Sequence, residues 1–241
     1  MSVAGGPDLV VNNLSLCLDA ANVKSHSGTG TSWVNLTRSG YNATLTNGAT
    51  FNSANGGVIV FDGTNDYSSS GAIAGSFASF TVIAWFYPTS LKNYANVLDC
   101  NYSYNGTTGN IGPRLELNAS GNLGWTYSNI TNNNGSYYGH SVLTSGLQAN
   151  KWHYAAITYS SNSSTTYYNG KPTGLSRTTV GSPTGFIGTV NNLNIGRGYS
   201  LITTSERYFA GRVSSVQVYN RLLSASEILQ NYKGTKGRFR L

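Results

Sequence analysis

The chain has 241 residues, of which only 10% are charged, and 15 Lys and Arg against 8 Asp and Glu give a formal charge of +7. Ser, Thr, Asn and Gly make up 113 of the 241 residues, yet 17 Tyr, 8 Phe and 4 Trp exclude a disordered chain, which is poor in aromatics and rich in charge. The lack of Ala, Glu, Lys and Leu at helical spacing excludes a long helical bundle, and no apolar run approaches the ~18 residues of a membrane span.

Residues 1–13 contain Gly5, Gly6 and Pro7 and read as an N-terminal arm. LSLCLDA (14–20) alternates apolar and polar positions, the pattern of a half-buried strand. Residues 21–57 are rich in turn formers, with Trp33 and Leu36 as anchors. GVIVFDG (57–63) reads as a short buried strand. FTVIAWFYP (80–88) is apolar at nearly every position, so both of its faces must be covered. YANVLDC (94–100), RLELN (114–118) and NLGWTYS (122–128) follow. In KWHYAAITYS (151–160), Trp152, Tyr154, Ala156 and Thr158 share one face and His153, Ala155, Ile157 and Tyr159 the other.

TTYYNGKP (165–172) carries the sharpest local signal. Asn169-Gly170 between two β-rich runs is a preferred two-residue hairpin turn, because both central residues need positive φ. NNLNIGR (191–197) and RYFAGRVSSVQVYN (207–220) complete the predicted strands. One helix is expected over SASEILQNY (224–232), ending before Gly234. Ser224 and Glu227 form a capping box, and Leu223 with Ile228 a hydrophobic staple. About twelve short strands and one short helix predict an all-β, two-sheet antiparallel sandwich or jelly roll spanning 14–232.

From Arg197 onward there are eight basic side chains and two acidic ones, and KGTKGRFRL (233–241) holds four cations and no acid. This segment reads as a basic tail for an acidic partner or as a solvated end. Residues 41–91 contain no Lys or Arg, so a phosphate-tracking groove for nucleic acid is not expected. Cys17 and Cys100 have neither metal spacing nor a disulfide framework and read as packed thiols. MSVAGGPDLV lacks the basic and apolar regions of a secretory signal.

FDGTNDY (61–67), FTVIAWFYPTS (80–90), KWHYAAITY (151–159), YYNGKPTG (167–174), LNIGR (193–197) and FAGRVSSVQVYNRLLSASEI (209–228) occur in the order found in the laminin-G-like, concanavalin A-like lectin/glucanase superfamily. The sequence resembles that superfamily over most of residues 14–232. The resemblance implies a jelly roll of two curved antiparallel sheets closed by a short C-terminal helix. GGPDLVVNNLSLCLDAANVKS and NYKGTKGRFRL are further similar to structural proteins of tailed phages, cyanobacterial phages among them.

Glucanases of this superfamily use closely spaced carboxylates on one strand. Here Glu116 stands alone in RLELNAS, with no Asp within ten residues, and Glu227 is used by the capping box. No catalytic residues are therefore expected, and no cofactor is required. Laminin-G-like domains often hold Ca²⁺, and by that resemblance Asp62, Asn65, Asp66 and Asp99 are candidate ligands. Asp-Gly-Thr-Asn-Asp reads more readily as a tight turn between strands, since Ca²⁺ normally takes more acidic ligands than this.

Sugars need aromatic faces with amides and hydroxyls nearby. Tyr102, Tyr104, Tyr137 and Tyr138, among many Asn and Gly, are candidate glycan-binding residues, the last two in a polar loop. Trp125 reads as core. Lys233, Lys236, Arg238, Phe239, Arg240 and Leu241 are candidate docking residues on a mobile tail. The expected function is a non-catalytic virion surface protein, a capsid decoration or short fibre, contacting other virion proteins and host surface glycans without membrane insertion. A secreted, extracellular carbohydrate-binding module is the alternative.

Overall fold

The computed structural model describes residues 7–37, 39–71, 76–77, 79–100, 103–104, 108–131, 136–160, 163–173, 177–180, 188–189, 193–200 and 205–241. Within these, the side chains of 76–77, 103–104, 108–112, 127–131, 136–142, 177–180, 188–189, 199–200 and 205–206 lie outside the description.

Two antiparallel sheets face each other. The first has the order Lys171–Pro172, Ser163–Tyr168, His153–Ser160, Ser79–Pro88, Ala210–Tyr219, Val58–Asp62, Thr50–Asn52, with Leu14–Asp19 also paired to Ala210–Tyr219. The second runs Arg177–Val180, Ser136–Thr144, Leu123–Thr131, Thr108–Leu117, Ala95–Asp99, Asn194–Ile195, Tyr67–Ser70, Ala43–Thr46, Ser32–Trp33, with Ser103–Tyr104 beside Thr108–Leu117. This is the two-sheet jelly-roll sandwich expected from the sequence.

The alternation of side chains along each strand divides the apolar residues between two cores. Phe80, Val82, Ala84 and Phe86 point between the sheets with Ala155, Ile157, Tyr159, Leu115, Leu117 and Trp125. Ile83 and Trp85 point the other way, joining Trp152, Tyr154, Ala156, Ile228 and Phe239 in a second cluster. The strand Ser79–Pro88 is thus covered on both faces, as its unbroken apolar run requires. Trp33 and Trp125 are fully buried. Cys17 and Cys100 are buried free thiols, and burial pushes Cys17 up to about 12.

The helix Ala225–Thr235 supplies the second cluster's lid. Ser224 Oγ accepts from the Glu227 N–H at 3.3 Å, and Glu227 Oε2 accepts from the Ser224 N–H at 2.8 Å. The helix runs past Gly234, where the sequence suggested a stop. Gly234 instead permits a close approach, since a Cβ there would lie 2.4 Å from the Pro7 carbonyl oxygen. No helix among the described residues is long and apolar enough to cross a membrane.

Of the arm expected over residues 1–13, residues 1–6, with Gly5 and Gly6, lie outside the described residues, while the described part and the C-terminal tail both pack on the domain. Val10 is buried, its N–H donates to Asn231 Oδ1 at 2.9 Å, and its carbonyl accepts from the Tyr219 hydroxyl at 2.8 Å. Residues Lys236–Phe239 form a 3₁₀ turn that inserts Phe239 between Trp85 and Trp152. A single aromatic ring among cations was enough to anchor this end, because the outer face of the first sheet offers a matching aromatic surface.

Candidate functional site

The strand Thr108–Leu117 sends Leu115 and Leu117 into the core and Arg114 and Glu116 to the opposite face. Glu116 is not alone there. Its Oε2 accepts from Arg207 Nη1 at 3.0 Å and lies 3.8 Å from Arg114 Nη1. Arg114 Nε lies 3.3 Å from Asp99 Oδ2 on the neighbouring strand, with both side chains almost fully buried. A guanidinium therefore stands between the two carboxylates.

The hairpin Arg197–Ser200 with Ser205–Tyr208 covers this cluster. Gly198 rests against Asn96, where a Cβ would come within 2.4 Å of the Asn96 Cγ. The Arg207 guanidinium lies 4.4 Å from the Tyr94 ring centre, and that of Arg197 lies 3.6 Å from the Tyr67 ring centre. Arg197 Nη2 also donates to Asn194 Oδ1 at 2.9 Å. Burial draws Arg207 below its ordinary range, opposed by the Glu116 charge.

Most glycoside hydrolases use two carboxylates facing the scissile bond, about 5–5.5 Å apart when the anomeric configuration is retained. Asp99 and Glu116 face arginines instead. Sequence reasoning missed Arg207, which lies 91 residues from Glu116. It also passed over Arg114, although the R-x-E spacing on a strand places both side chains on one face.

The Ca²⁺ candidates divide. Asp62 Oδ1 accepts the backbone N–H groups of Thr64, Asn65 and Asp66, and Asp66 Oδ2 accepts the Asp62 N–H at 3.1 Å. Asp99 is held by Arg114. Among the described residues no three His, Cys, Asp or Glu side chains group as metal ligands would. These residues do not fit a sphere of six to eight oxygens. The loop is an Asx turn, whose hydrogen bonds hold the Asp62 carboxyl below its usual range while burial raises that of Asp66.

Of the glycan candidates, Tyr102 lies outside the described residues. Tyr104 belongs to Ser103–Tyr104, with its side chain undescribed. Tyr137 and Tyr138 are not in a loop. They lie in Ser136–Thr144, opposite Asn129 and Ser128, and Tyr138 also pairs with Val180. Tyrosine's strand preference outweighed the neighbouring Gly and Asn.

The docking residues are not a free tail either. Phe239 is buried, and Arg238 Nη1 donates to Asp19 Oδ1 at 2.9 Å while its Nη2 donates to Ser214 Oγ at 2.6 Å. Lys233, Arg240 and Leu241 remain exposed and Lys236 is half-buried.

Residues 62–229 match the family model described as the concanavalin A-like lectin/glucanases superfamily. No curated protein matches the sequence. Among solved structures, Trypanosoma rangeli sialidase in complex with sialic acid aligns at 18% identity and a TM-score of 0.68, over 97% of this chain and 35% of that one. The chain thus spans about a third of the sialidase's length. Domain 4 of AbnA, a GH43 extracellular arabinanase from Geobacillus stearothermophilus in complex with arabinotriose, aligns at 13% identity and a TM-score of 0.64, over 91% and 98%. The botulinum neurotoxin type G receptor-binding domain aligns at 17% identity and a TM-score of 0.57, over 92% and 51%. At these identities the likeness is one of fold. With more than half of its length matched by the family model, the chain belongs to the concanavalin A-like lectin/glucanase superfamily.

Proposed function

We propose that this domain binds glycans without cleaving them and is displayed on the surface of a tailed-phage virion, as a capsid decoration or short fibre. The observation that carries the non-catalytic part is the pairing of Glu116 with Arg207 and of Asp99 with Arg114. A carboxylate with an oxygen held against a guanidinium is less available as a nucleophile toward a substrate. Membership of a lectin/glucanase superfamily supports the glycan part. The similarity of both chain ends to phage structural proteins supports the virion part, with contacts to other virion proteins through exposed Lys233, Arg240 and Leu241.

A second reading, a cellular extracellular carbohydrate-binding module, is favoured by one observation. The chain covers 98% of an arabinanase domain whose structure holds arabinotriose. The two readings share binding without turnover and differ in location. The test is a glycan array, with reducing-end release measured on the same polysaccharides. Binding without release is expected. Release that disappears in Glu116→Gln overturns the non-catalytic reading. Antibody labelling of intact phage particles separates the virion from the cellular reading.

A further inference from the structure

We propose a sugar-binding pocket at the end of the first sheet, with the half-buried Tyr87 ring as its stacking face, backed by Trp152 and Phe239 and rimmed by Gln148, Asn150 and Lys151. It rests on the glycan-binding reading above and gives that reading a place, away from the face that carries Glu116. The recess has a volume of about 370 Å³, at the lower end of the ~300–1,000 Å³ range of small-molecule sites.

The chain builds this recess from three directions. Asn150, at a φ of 61°, turns the backbone into the strand His153–Ser160, and its N–H donates to the Pro88 carbonyl at 2.7 Å. That bond places the 146–152 loop beside Tyr87, one residue from the end of its strand. The Asn169-Gly170 hairpin forms the opposite wall. The two walls are tied by His153, whose Nε2 donates to the Gln148 carbonyl at 2.8 Å while Nδ1 accepts from the Tyr168 hydroxyl at 2.6 Å. The C-terminal 3₁₀ turn supplies Phe239.

Tyr87 is the half-buried ring of this recess, and the buried Trp152 and Phe239 support it from behind. Trp152 and Tyr87 have ring centroids 5.4 Å apart, and Trp152 and Phe239 4.4 Å apart. The Trp152 indole N–H is engaged by Asn55 Oδ1 at 3.2 Å, and the Tyr87 ring lies 5.1 Å from the Arg212 guanidinium, so both rings are held in place. Rings fixed before a ligand arrives lose little freedom on binding.

The rim is polar and available. Gln148, Asn150 and Lys151 are exposed, and their side chains make no hydrogen bond within the described residues. Two amides and an ammonium over an aromatic face match a neutral pyranose, with C–H groups on one face and hydroxyls around its edge. The larger groove of about 650 Å³ beside Asp8, Leu14 and Cys17 has no aromatic side chain among the described residues of its walls. These offer no face on which a sugar ring can stack.

The test uses full-length protein and neutral oligosaccharides of glucose, galactose, mannose and N-acetylglucosamine type, titrated by calorimetry. Three proteins are compared: the wild type, Gln148→Ala/Asn150→Gly and Tyr137→Ala/Tyr138→Ala. Asn150→Gly keeps the positive φ while removing the amide, and thermal melting checks each fold. The expected result is wild-type binding to at least one oligosaccharide, weakened about tenfold or more in Gln148→Ala/Asn150→Gly. Unchanged affinity in that folded variant, with loss in Tyr137→Ala/Tyr138→Ala, overturns the pocket and leaves the glycan-binding reading standing. No wild-type binding to any of these oligosaccharides overturns the pocket as a neutral-sugar site. The glycan array, which also carries acidic glycans, then decides the broader reading.

Discussion

Phe239 sits 4.3 Å from the Trp85 ring centre and 4.4 Å from that of Trp152, closing an aromatic cluster on the outer face of the first sheet. Trp85 in turn stacks on Tyr232 at 5.6 Å and donates its indole N–H to Thr235 Oγ1 at 2.8 Å. Phe239 is therefore part of the core. Phe239→Ala should destabilise the domain by about 3–5 kcal/mol, the usual loss for emptying a buried aromatic site. Deleting residues 236–241 should do at least as much, since Arg238 leaves Asp19 unpaired as well. Urea unfolding measures both. A truncated domain as stable as the parent would restore the picture of a loose tail.

What the sequence made legible was local. The alternation in 151–160 separated the faces of a strand, and Asn169-Gly170 and Ser224…Glu227 located a turn and a helix start, because each signal lies within a few residues. Strands such as Tyr67–Ser70 and Ser136–Thr144 escaped, as Ser, Gly and Asn within them speak for turns and only cross-strand pairing decides otherwise. The site was harder still. Arg207 meets Glu116 through tertiary structure alone, and the residues of the sugar pocket come from positions 87, 148–152 and 239. Phe239 escaped for a different reason. KGTKGRFRL is too polar to suggest a core, and the surface that receives its ring is built by strands far away in the chain.

Gly170 lies under the Tyr232 ring. It has a φ of 76° after Asn169 at 49°, both positive as the tight hairpin turn requires, and a Cβ there would approach Tyr232 Cδ1 to 2.7 Å. Gly170→Val therefore meets two penalties, a β-branched residue at positive φ and a clash with the helix. The expected loss is on the order of 2–4 kcal/mol, above the ~1–2 kcal/mol of the backbone term alone. Gly170→Ala combined with Tyr232→Ala should cost less than the sum of the two single changes, because the second removes the contacts with Tyr232 Cδ1 and Cγ and leaves only that with Cβ at 2.9 Å. Strict additivity in thermal or urea melts would show that the steric part is absent.

Acid should weaken the fold in two stages. Burial, joined by the Lys151 charge, holds His153 below its ordinary 6.5, and burial does the same for His26. As pH falls below about 6.5 the unfolded chain takes up protons before the folded one, so stability present above that value is lost toward each folded value. Glu227 is lowered from 4.5 to about 2 by the hydrogen bond from Arg221, with help from Ser224. Its share is present above about 4.5 and disappears as pH falls toward 2. Urea midpoints from about pH 8 to about pH 3 should fall in both windows. His153→Gln should flatten the upper window and Glu227→Gln the lower one. Ser224→Ala should cost about 0.5–2 kcal/mol at neutral pH by removing the cap. A wild-type profile flat between about pH 7 and 5.5 would contradict the histidine part.

Glu116 separates a structural role from a catalytic one. Its carboxylate accepts from Arg207 at 3.0 Å and faces Arg114 at 3.8 Å, with side-chain exposures of 15%, 17% and 5% for the three residues. Glu116→Gln keeps the shape and one acceptor oxygen but leaves two mostly buried guanidiniums with one less negative charge. The expected outcome is a stability loss on the order of 1–3 kcal/mol with glycan affinity unchanged, because the carboxylate faces arginines rather than the pocket at Tyr87. Arg207→Met should lose a similar amount, and the double variant should cost less than the two single changes together, since the first change already removes the interaction that the second would break. Calorimetric titration with a bound oligosaccharide, alongside urea unfolding, reads both quantities on the same proteins. A Glu116→Gln domain as stable as the parent yet unable to bind sugar would move the ligand onto the arginine-covered face and away from Trp152.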